Sequence, residues 1–144
     1  MNVTVTIVQN AEELQQALEI RKTVFVEEQQ VPEEIEVDEY ENTSVHFLAW
    51  EGHRPIGTCR LRWINSHTAK AERVAVLKDK RNTGAGKQLM QALEDYAKKH
   101  GAQMIVLNAQ TQALPFYQKL GYKEMGTPFY EEHIEHIRMQ KHLT

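Results

Sequence analysis

The chain has 144 residues, of which 41% are hydrophobic and 26% charged, and its formal net charge is −3. This length suits a single core, so we expect residues 1–144 to form one domain. The negative net charge argues against general nucleic-acid binding. No apolar run approaches the ~20 residues of a membrane span, and no secretory signal is visible. The single cysteine, Cys59, rules out an intrachain disulfide and fits a cytoplasmic location.

The chain is predicted to begin with a strand and an amphipathic helix. Residues 3–8 alternate Val, Thr and Ile, as a half-buried strand does. Asn10 is followed three residues later by Glu13, which is typical of a helix start. Apolar residues then recur on one helical face as far as Phe25, and Pro32 prevents continuation of the helix.

Residues 27–41, here called the acidic segment, contain eight acidic residues and no Lys or Arg. A few apolar side chains are scattered through the segment, which predicts a packed loop or short helix. It is either a solvated acidic face or the lip of a substrate site that attracts an amine cation.

Two strands joined by a hairpin turn are predicted at residues 45–50 and 55–63, followed by a strand at residues 69–76. Arg60 and Arg62 alternate with apolar residues, so the second strand is predicted to have one polar face, either solvent-facing or open to an anionic substrate group. We expect Cys59 to be buried there and not to act as a nucleophile.

A glycine-containing turn, Arg-x-x-Gly-x-Gly, lies between that last strand and a helical pattern. Gly84 and Gly86 leave backbone N–H groups free of Cβ obstruction at a helix N-terminus, where the helix dipole favours phosphate. Arg81 and Lys87 add positive charge. An ordinary strand-to-helix turn is the alternative, because the spacing matches neither the dinucleotide fingerprint nor the P-loop.

The last third is predicted to hold a buried strand at residues 104–107, a helix at 113–120 and strands at 122–125 and 134–143. Thr111 or Gln112 is expected to cap the helix. Alternation of strands and helices along the whole chain predicts a mixed α/β fold.

Two motifs of the chain resemble those of the GNAT superfamily of acetyl-CoA-dependent N-acetyltransferases. Val76 is followed five residues later by Arg-Asn-Thr-Gly-Ala-Gly at 81–86, which resembles the pyrophosphate-binding motif of that family. Asn108, with Ala-Leu-Pro-Phe-Tyr-Gln-Lys-Leu-Gly-Tyr at 113–122, resembles its Asn…Ala-x-x-Phe-Tyr-x-x-x-Gly-Phe/Tyr helix. The resemblance implies a twisted, mostly antiparallel mixed sheet flanked by about four helices. In that fold, two neighbouring strands splay apart to admit the pantetheine arm of acetyl-CoA.

The resemblance also assigns the cofactor-binding residues. They are Val74, Ala75 and Val76 for pantetheine, Arg81, Asn82, Thr83, Gly84, Ala85, Gly86 and Lys87 for pyrophosphate, and Asn108, Phe116 and Tyr117 near the pantetheine arm. Tyr117 matches a tyrosine that protonates the departing thiolate, which a phenol of reference pKa about 10 can do at neutral pH. The alternative is that Tyr117 only packs in the core.

A stretch that includes Phe25, Glu28, Glu36 and Asp38 resembles the N-terminal signature of a small bacterial GNAT subfamily, and it is distantly similar to acyl-homoserine lactone synthases. These four residues are therefore predicted to bind substrate. His136, in a final strand that resembles the same subfamily, is predicted to contact substrate or to relay a proton.

Glu72 is the predicted general base, although family members that use a glutamate on this strand carry it two residues earlier, at Lys70. Glu72 lies four residues before Val76, so it is predicted to share a strand face with Val74 and Val76. An ion-pair role is the alternative, and many relatives use water. No metal site is predicted, because His133 and His136 are three apart on a strand and point to opposite faces.

These observations together predict an N-acetyltransferase that uses acetyl-CoA and a small-molecule or peptide primary amine. The amine is expected to attack directly in a ternary complex. No nucleic-acid or membrane partner is expected, and the family often forms homodimers. The alternatives are a non-catalytic CoA-binding sensor and an acyltransferase that takes a longer acyl-CoA.

Overall fold

The fold is built on one seven-stranded sheet, described for residues 2–144 by a computed structural model. A π-helical segment (Lys22–Glu28) and two short 3-10 turns (Lys78–Lys80 and Thr111–Ala113) connect some of the main elements. The main elements are, in chain order, β1 (Val3–Ile7), α1 (Ala11–Arg21), α2 (Glu33–Glu36), β2 (Val45–Glu51), β3 (Arg54–Trp63), β4 (Thr68–Val76), α3 (Ala85–Lys99), β5 (Met104–Gln110), α4 (Leu114–Lys119), β6 (Lys123–Glu131) and β7 (Ile134–His142). This order confirms the predicted mixed α/β fold.

The strands lie in the order β1-β2-β3-β4-β5-β7-β6, and every neighbouring pair is antiparallel except β4 and β5. The parallel pairing of β4 with β5 ends at Ala71 and Leu107, although β4 continues to Val76 and β5 to Gln110. The two strands therefore separate over their last residues, as the resemblance to the GNAT fold implies.

Helices cover both faces of the sheet. On one face, here called the α3 face, Leu89 and Leu93 of α3 pack with Phe47, Leu61 and Leu107 of the sheet. On the opposite face, here called the α1 face, a smaller cluster joins helix and sheet residues: Ala17, Ile20, Val24, Leu48 and Ala75. Because strand side chains alternate, neighbouring residues of one strand belong to different clusters.

A β-bulge in β4 changes this alternation. Arg73 has φ 55°, and the pairing of β3 with β4 shifts register between Thr58 and Arg60. An extra residue at a bulge moves every later side chain to the other face.

The bulge decides the face of the predicted base. Ala71 before it and Val74 and Val76 after it all pack on the α3 face. Glu72 instead pairs with Arg60 and lies on the α1 face. The prediction that Glu72 shares a face with Val74 and Val76 is therefore wrong.

The N-terminal cap predicted from the sequence is found for α1 but not for α4. Asn10 caps α1 by accepting a hydrogen bond from the backbone N–H of Glu13 at 2.8 Å, as predicted. No side chain caps α4, which the 3-10 turn Thr111–Ala113 leads into. The prediction that Thr111 or Gln112 caps it is wrong. Within the described part of the chain, no helix has the length and hydrophobicity of a membrane span.

Candidate active site

A cleft of about 630 Å³ lies where β4 and β5 separate. Residues of both sheet faces line it, so the cleft passes through the sheet. The α3 face contributes Val74, Val76, Ala113 and Tyr117; the α1 face and the segments above it contribute Phe25, Gln29, Glu36, Glu72, Arg73, Asn108, Gln110 and His136.

The walls of the cleft carry backbone groups without a strand partner. Beyond Ala71, β4 pairs with β3 alone, and beyond Leu107, β5 pairs with β7 alone. The edges of the two strands that face each other, 73–76 and 108–110, therefore offer hydrogen-bonding groups to a ligand. Val74, Ala75 and Val76, which were predicted to hold pantetheine, are on this edge.

The N-terminus of α3 follows the end of β4. Gly84 has φ 90°, and a Cβ there would meet nothing within 4 Å. The helix has no side-chain cap, and its first backbone bond runs from Gln88 N–H to the Gly84 carbonyl at 3.0 Å. The N–H groups of residues 85–87 thus have no acceptor within the helix, and an anion such as phosphate fits them.

Gly86 has a packing role. A Cβ on Gly86 would lie 3.2 Å from Cζ of Phe116, which is on α4. The absence of a side chain therefore lets α4 approach the first turn of α3 closely, and Phe116 packs there.

Arg81 makes its contacts within the protein. Its terminal nitrogens donate to both carboxylate oxygens of Glu28 at 2.6 and 2.7 Å, and its Nε donates to the carbonyl of Val76 at 3.0 Å. The hydrogen bond from Arg81 holds the pKa of Glu28 below its usual value. The pair ties the end of the π-helical segment to the loop before α3, whereas Arg81 was predicted to bind phosphate and Glu28 to bind substrate.

The π-helical segment ends above the opening between the two strands. Glu28 reaches Arg81 on the β4 side, and next to it Gln29 accepts a hydrogen bond from Gln110 of β5 at 2.8 Å. The predicted substrate residue Phe25 lines the cleft from this segment. Helices of π type are rare and are often found at functional sites.

Buried ion pairs hold the acidic segment on the α1 face. Glu36, which is 4% exposed, accepts hydrogen bonds from Nε of Arg21 at 2.9 Å and from Nε of Arg73 at 3.1 Å. Asp38 accepts from Arg60 at 2.8 Å. Burial would raise the pKa of Asp38, but hydrogen bonds led by that from Arg60 lower it to about 2. Arginines of the chain thus occupy both carboxylates that were predicted to meet an amine cation.

Glu72 is enclosed by cations. It accepts from Arg60 at 2.7 Å and from Arg62 at 3.1 Å, and Nζ of Lys70 lies 3.3 Å away. Burial would raise the pKa of Glu72, but Arg62 and Arg60 lower it to about 2. Such a carboxylate is a weak base at neutral pH, which argues against the predicted role of Glu72 as the general base.

Arg60 was predicted to lie on a polar face that meets either solvent or an anionic substrate group. It is only 1% exposed, so that prediction is wrong.

Tyr117 lies at the inner wall of the cleft. Its ring packs edge-on against Phe116 and Tyr122, with centroids 4.9 and 5.9 Å away. Burial raises the pKa of the Tyr117 hydroxyl, so the group stays protonated and can donate.

Cys59 is buried, and burial likewise raises the pKa of its thiol, which removes it as a nucleophile.

His136 lines the opposite side of the cleft. Its Nδ1 lies 2.7 Å from the carbonyl of Ile134, and its ring stacks on Phe129 with centroids 6.0 Å apart. Asn108 is close by and donates to Glu131 at 3.4 Å. No cluster of His, Cys, Asp or Glu side chains that would hold a metal ion is found within residues 2–144.

Several cleft residues were not predicted from the sequence, among them the polar residues Gln29, Arg73 and Gln110. Gln110 lies two positions after Asn108 on β5, so the two share a face, but β5 extends three residues beyond its predicted end at 107. No sequence pattern marks Arg73 or Gln29 as a cleft residue. Arg73 lies on the bulge, and Gln29 follows the end of the π-helical segment.

Known proteins are similar to this chain in sequence and in fold. The family model described as an acetyltransferase (GNAT) domain matches residues 8–143. The uncharacterised N-acetyltransferase YjcF of Bacillus subtilis (strain 168) is 44% identical over 136 residues, which cover 94% of this chain and 96% of YjcF.

Solved structures agree with that match. A Lactobacillus plantarum protein with a provisional N-acetyltransferase name is 26% identical, with a TM-score of 0.92 over 99% of each chain. A GNAT family acetyltransferase from Elizabethkingia anophelis with acetyl-CoA bound is 20% identical, with a TM-score of 0.72 over 99% of each chain, and shows likeness of fold alone. The chain described here belongs to the GNAT acetyltransferase family and is an acyltransferase.

Proposed function

We propose that this chain transfers an acetyl group from acetyl-CoA to a primary amine of a small molecule or peptide, by direct attack in a ternary complex. One observation carries the proposal: a cleft passes through the sheet with Tyr117 in its wall, and another wall residue, Val76, lies beside the uncapped N-terminus of α3, where a Cβ on Gly86 would be 3.9 Å from it. The acetyl-CoA-bound relative of the same fold supports the choice of cofactor.

The residues present fit a CoA-type group. The N–H groups of residues 85–87 would hold the pyrophosphate, and Gly84 leaves open space beside them. The unpaired edge of β4 from Val74 to Val76 would bind the amide groups of pantetheine, with Asn108 on the facing strand. Lys87 adds positive charge near the helix start.

Tyr117 would then act as the acid. Acetyl-CoA supplies a thioester whose C–S bond breaks as the acceptor nitrogen bonds to the carbonyl carbon. The hydroxyl of Tyr117 is protonated at neutral pH, and no partner for it is found within residues 2–144, so it can give its proton to the leaving sulfur. The burial of Cys59 supports direct transfer, because it leaves no cysteine in position to carry the acetyl group.

Calorimetric binding of acetyl-CoA tests the proposal. We expect the wild type to bind, and Gly84→Glu to lose at least about 100-fold in affinity, because it adds a negative charge where phosphate sits. Gly101→Glu is the matched control, since Gly101 lies beyond the other end of α3, also has positive φ (100°), and also faces open space.

Failure of the wild type to bind acetyl-CoA would refute the proposal, and equal losses in both variants would refute the role of the loop. Preferential binding of a longer acyl-CoA would instead favour the other acyltransferase class. One domain over residues 1–144, a cytoplasmic location and a homodimer stay predictions.

A further inference from the structure

The hydrogen bonds of His136 fix which ring nitrogen carries the proton. Nδ1 lies 2.7 Å from the carbonyl of Ile134, and a carbonyl can only accept, so Nδ1 carries the hydrogen and donates it. Nε2 then has a free lone pair. No partner for Nε2 is found among residues 2–144, and it is not sealed from solvent. The Phe129 ring stacked beside the imidazole holds its orientation.

His136 and Tyr117 line the cleft from opposite faces of the sheet. Tyr117 belongs to the cluster on the α3 face, together with Ile137 of β7. His136 precedes Ile137 on the strand, so its side chain lies on the α1 face, next to Gln110 of β5. The α3 face also carries the start of the helix that fits phosphate. A cofactor held on that side leaves the α1 face for the acceptor.

Two carboxylates on the α1 face of the cleft, Glu36 and Glu72, are not available as the base. Glu36 and Glu72 are ion-paired with Arg21, Arg60, Arg62 and Arg73, and β5 contributes only the uncharged Asn108 and Gln110. An imidazole is better matched than a carboxylate to proton transfer near neutral pH. The charged residues that line the cleft are Glu36, Lys70, Glu72, Arg73, Arg81, Glu131 and Glu132.

We propose that Nε2 of His136 is the general base that takes the proton from the acceptor amine. This inference rests on the proposed acetyl transfer. As the nitrogen bonds to the carbonyl carbon and the C–S bond breaks, the nitrogen loses one proton to Nε2 and the sulfur gains one from Tyr117. Solvent then returns one proton from the imidazolium to the phenolate, so the protein ends in the state in which it began.

The pH dependence of turnover tests the proposal. Thiol release from acetyl-CoA is followed with arylamine acceptors, whose nitrogen is unprotonated at neutral pH, so any acid limb belongs to the protein. We expect kcat/KM of the wild type to have an acid limb, because a general base accepts a proton only while its lone pair is free. His136→Gln should be about 100-fold slower and lose this limb. His142→Gln, an exposed histidine at the end of the same strand, should behave as the wild type.

Two further measurements separate a base from a structural residue. Added imidazole should restore part of the activity of His136→Ala, and acetyl-CoA should bind His136→Gln as tightly as the wild type. If the wild type binds acetyl-CoA but His136→Gln keeps the same acid limb, the role of His136 is refuted and the acetyltransferase proposal stands.

A nitrogen NMR spectrum of the protein alone gives a result that needs no acceptor. We expect His136, assigned by the signals lost in His136→Gln, to be the tautomer protonated at Nδ1. A spectrum dominated by the tautomer protonated at Nε2 would overturn the proposal, because Nε2 would then have no lone pair to offer.

Discussion

Tyr117 and Tyr122 pack against each other, and their hydroxyl groups have opposite surroundings. The hydroxyl of Tyr122 donates a hydrogen bond to Glu94 at 2.8 Å, and Lys141 pairs with the same carboxylate. The hydroxyl of Tyr117 has no such partner within residues 2–144 and lies at the cleft. The first hydroxyl satisfies a buried carboxylate, and the second is free for a ligand.

The two tyrosines should therefore respond differently to loss of the hydroxyl. We expect Tyr117→Phe to lower kcat by about 100-fold while leaving acetyl-CoA affinity and the free energy of unfolding unchanged. Tyr122→Phe should keep kcat and lose about 1–3 kcal/mol of stability, because one buried oxygen of Glu94 loses its donor. Steady-state kinetics and urea unfolding of both variants give the comparison. Equal effects on kcat would mean that Tyr117 only packs.

Residue positions were predictable where they depend on short motifs. The Gly84 turn and the cleft position of Tyr117 follow from contiguous residues. The face of Glu72 was not predictable, because a left-handed residue at Arg73 reverses the alternation and arginine gives no sign of that conformation. The partners of Glu36 were equally hidden, since Arg21 and Arg73 lie 15 and 37 positions away in the chain.

The close approach of α4 to α3 depends on Gly86. Gly86→Ala should cost about 1–3 kcal/mol of stability, because the new methyl group would lie 3.2 Å from the ring of Phe116. In the background of Phe116→Leu, which removes that ring edge, the same change should cost much less. A double-mutant cycle in urea measures the coupling. Equal costs in both backgrounds would show that the ring does not set the approach.

Elements were predictable where hydrophobic periodicity is strong and less so at their ends. The β2–β3 hairpin and the strand before the glycine turn agree with the sequence within one or two residues. β6 runs to Glu131, beyond the predicted end at 125, because it pairs with β7 across a register shift after Met125. Its side chains are mostly exposed, so no apolar alternation marked it as a strand.

Over the whole molecule, buried charge makes stability depend on pH. Burial lowers the pKa of His46, which donates from Nε2 to the carbonyl of Glu41, so the folded chain keeps this ring neutral. The unfolded chain gains a proton on it below a pH of about 6.5. The pKa values of Asp38 and Glu72 are about 2 in the folded chain, below their usual values. Their stabilisation is present above those usual values and is lost as the pH falls toward 2.

We therefore expect the free energy of unfolding to be constant between pH ~7 and ~8, to fall as the pH drops through about 6.5, and to fall more steeply below about 4.5. Urea unfolding across this range measures the curve. His46→Gln should remove the upper decline and Glu72→Gln part of the lower one. A stability that rises on acidification from pH ~7 to ~5 would contradict the assignment of His46 as a neutral buried group.

The acidic segment is attached to the rest of the protein by ion pairs more than by apolar packing. Ile35, Val37 and Tyr40 are among the exposed large hydrophobic residues, whereas Glu36 and Glu41 are buried against Arg21. Residues between these anchors can therefore change without repacking the core. We expect natural relatives to differ in their acceptors here, by exchanging the exposed positions of the segment while keeping the arginine partners, the glycine turn, Tyr117 and His136. Selection for a new acceptor would then act on a surface that folding constrains little.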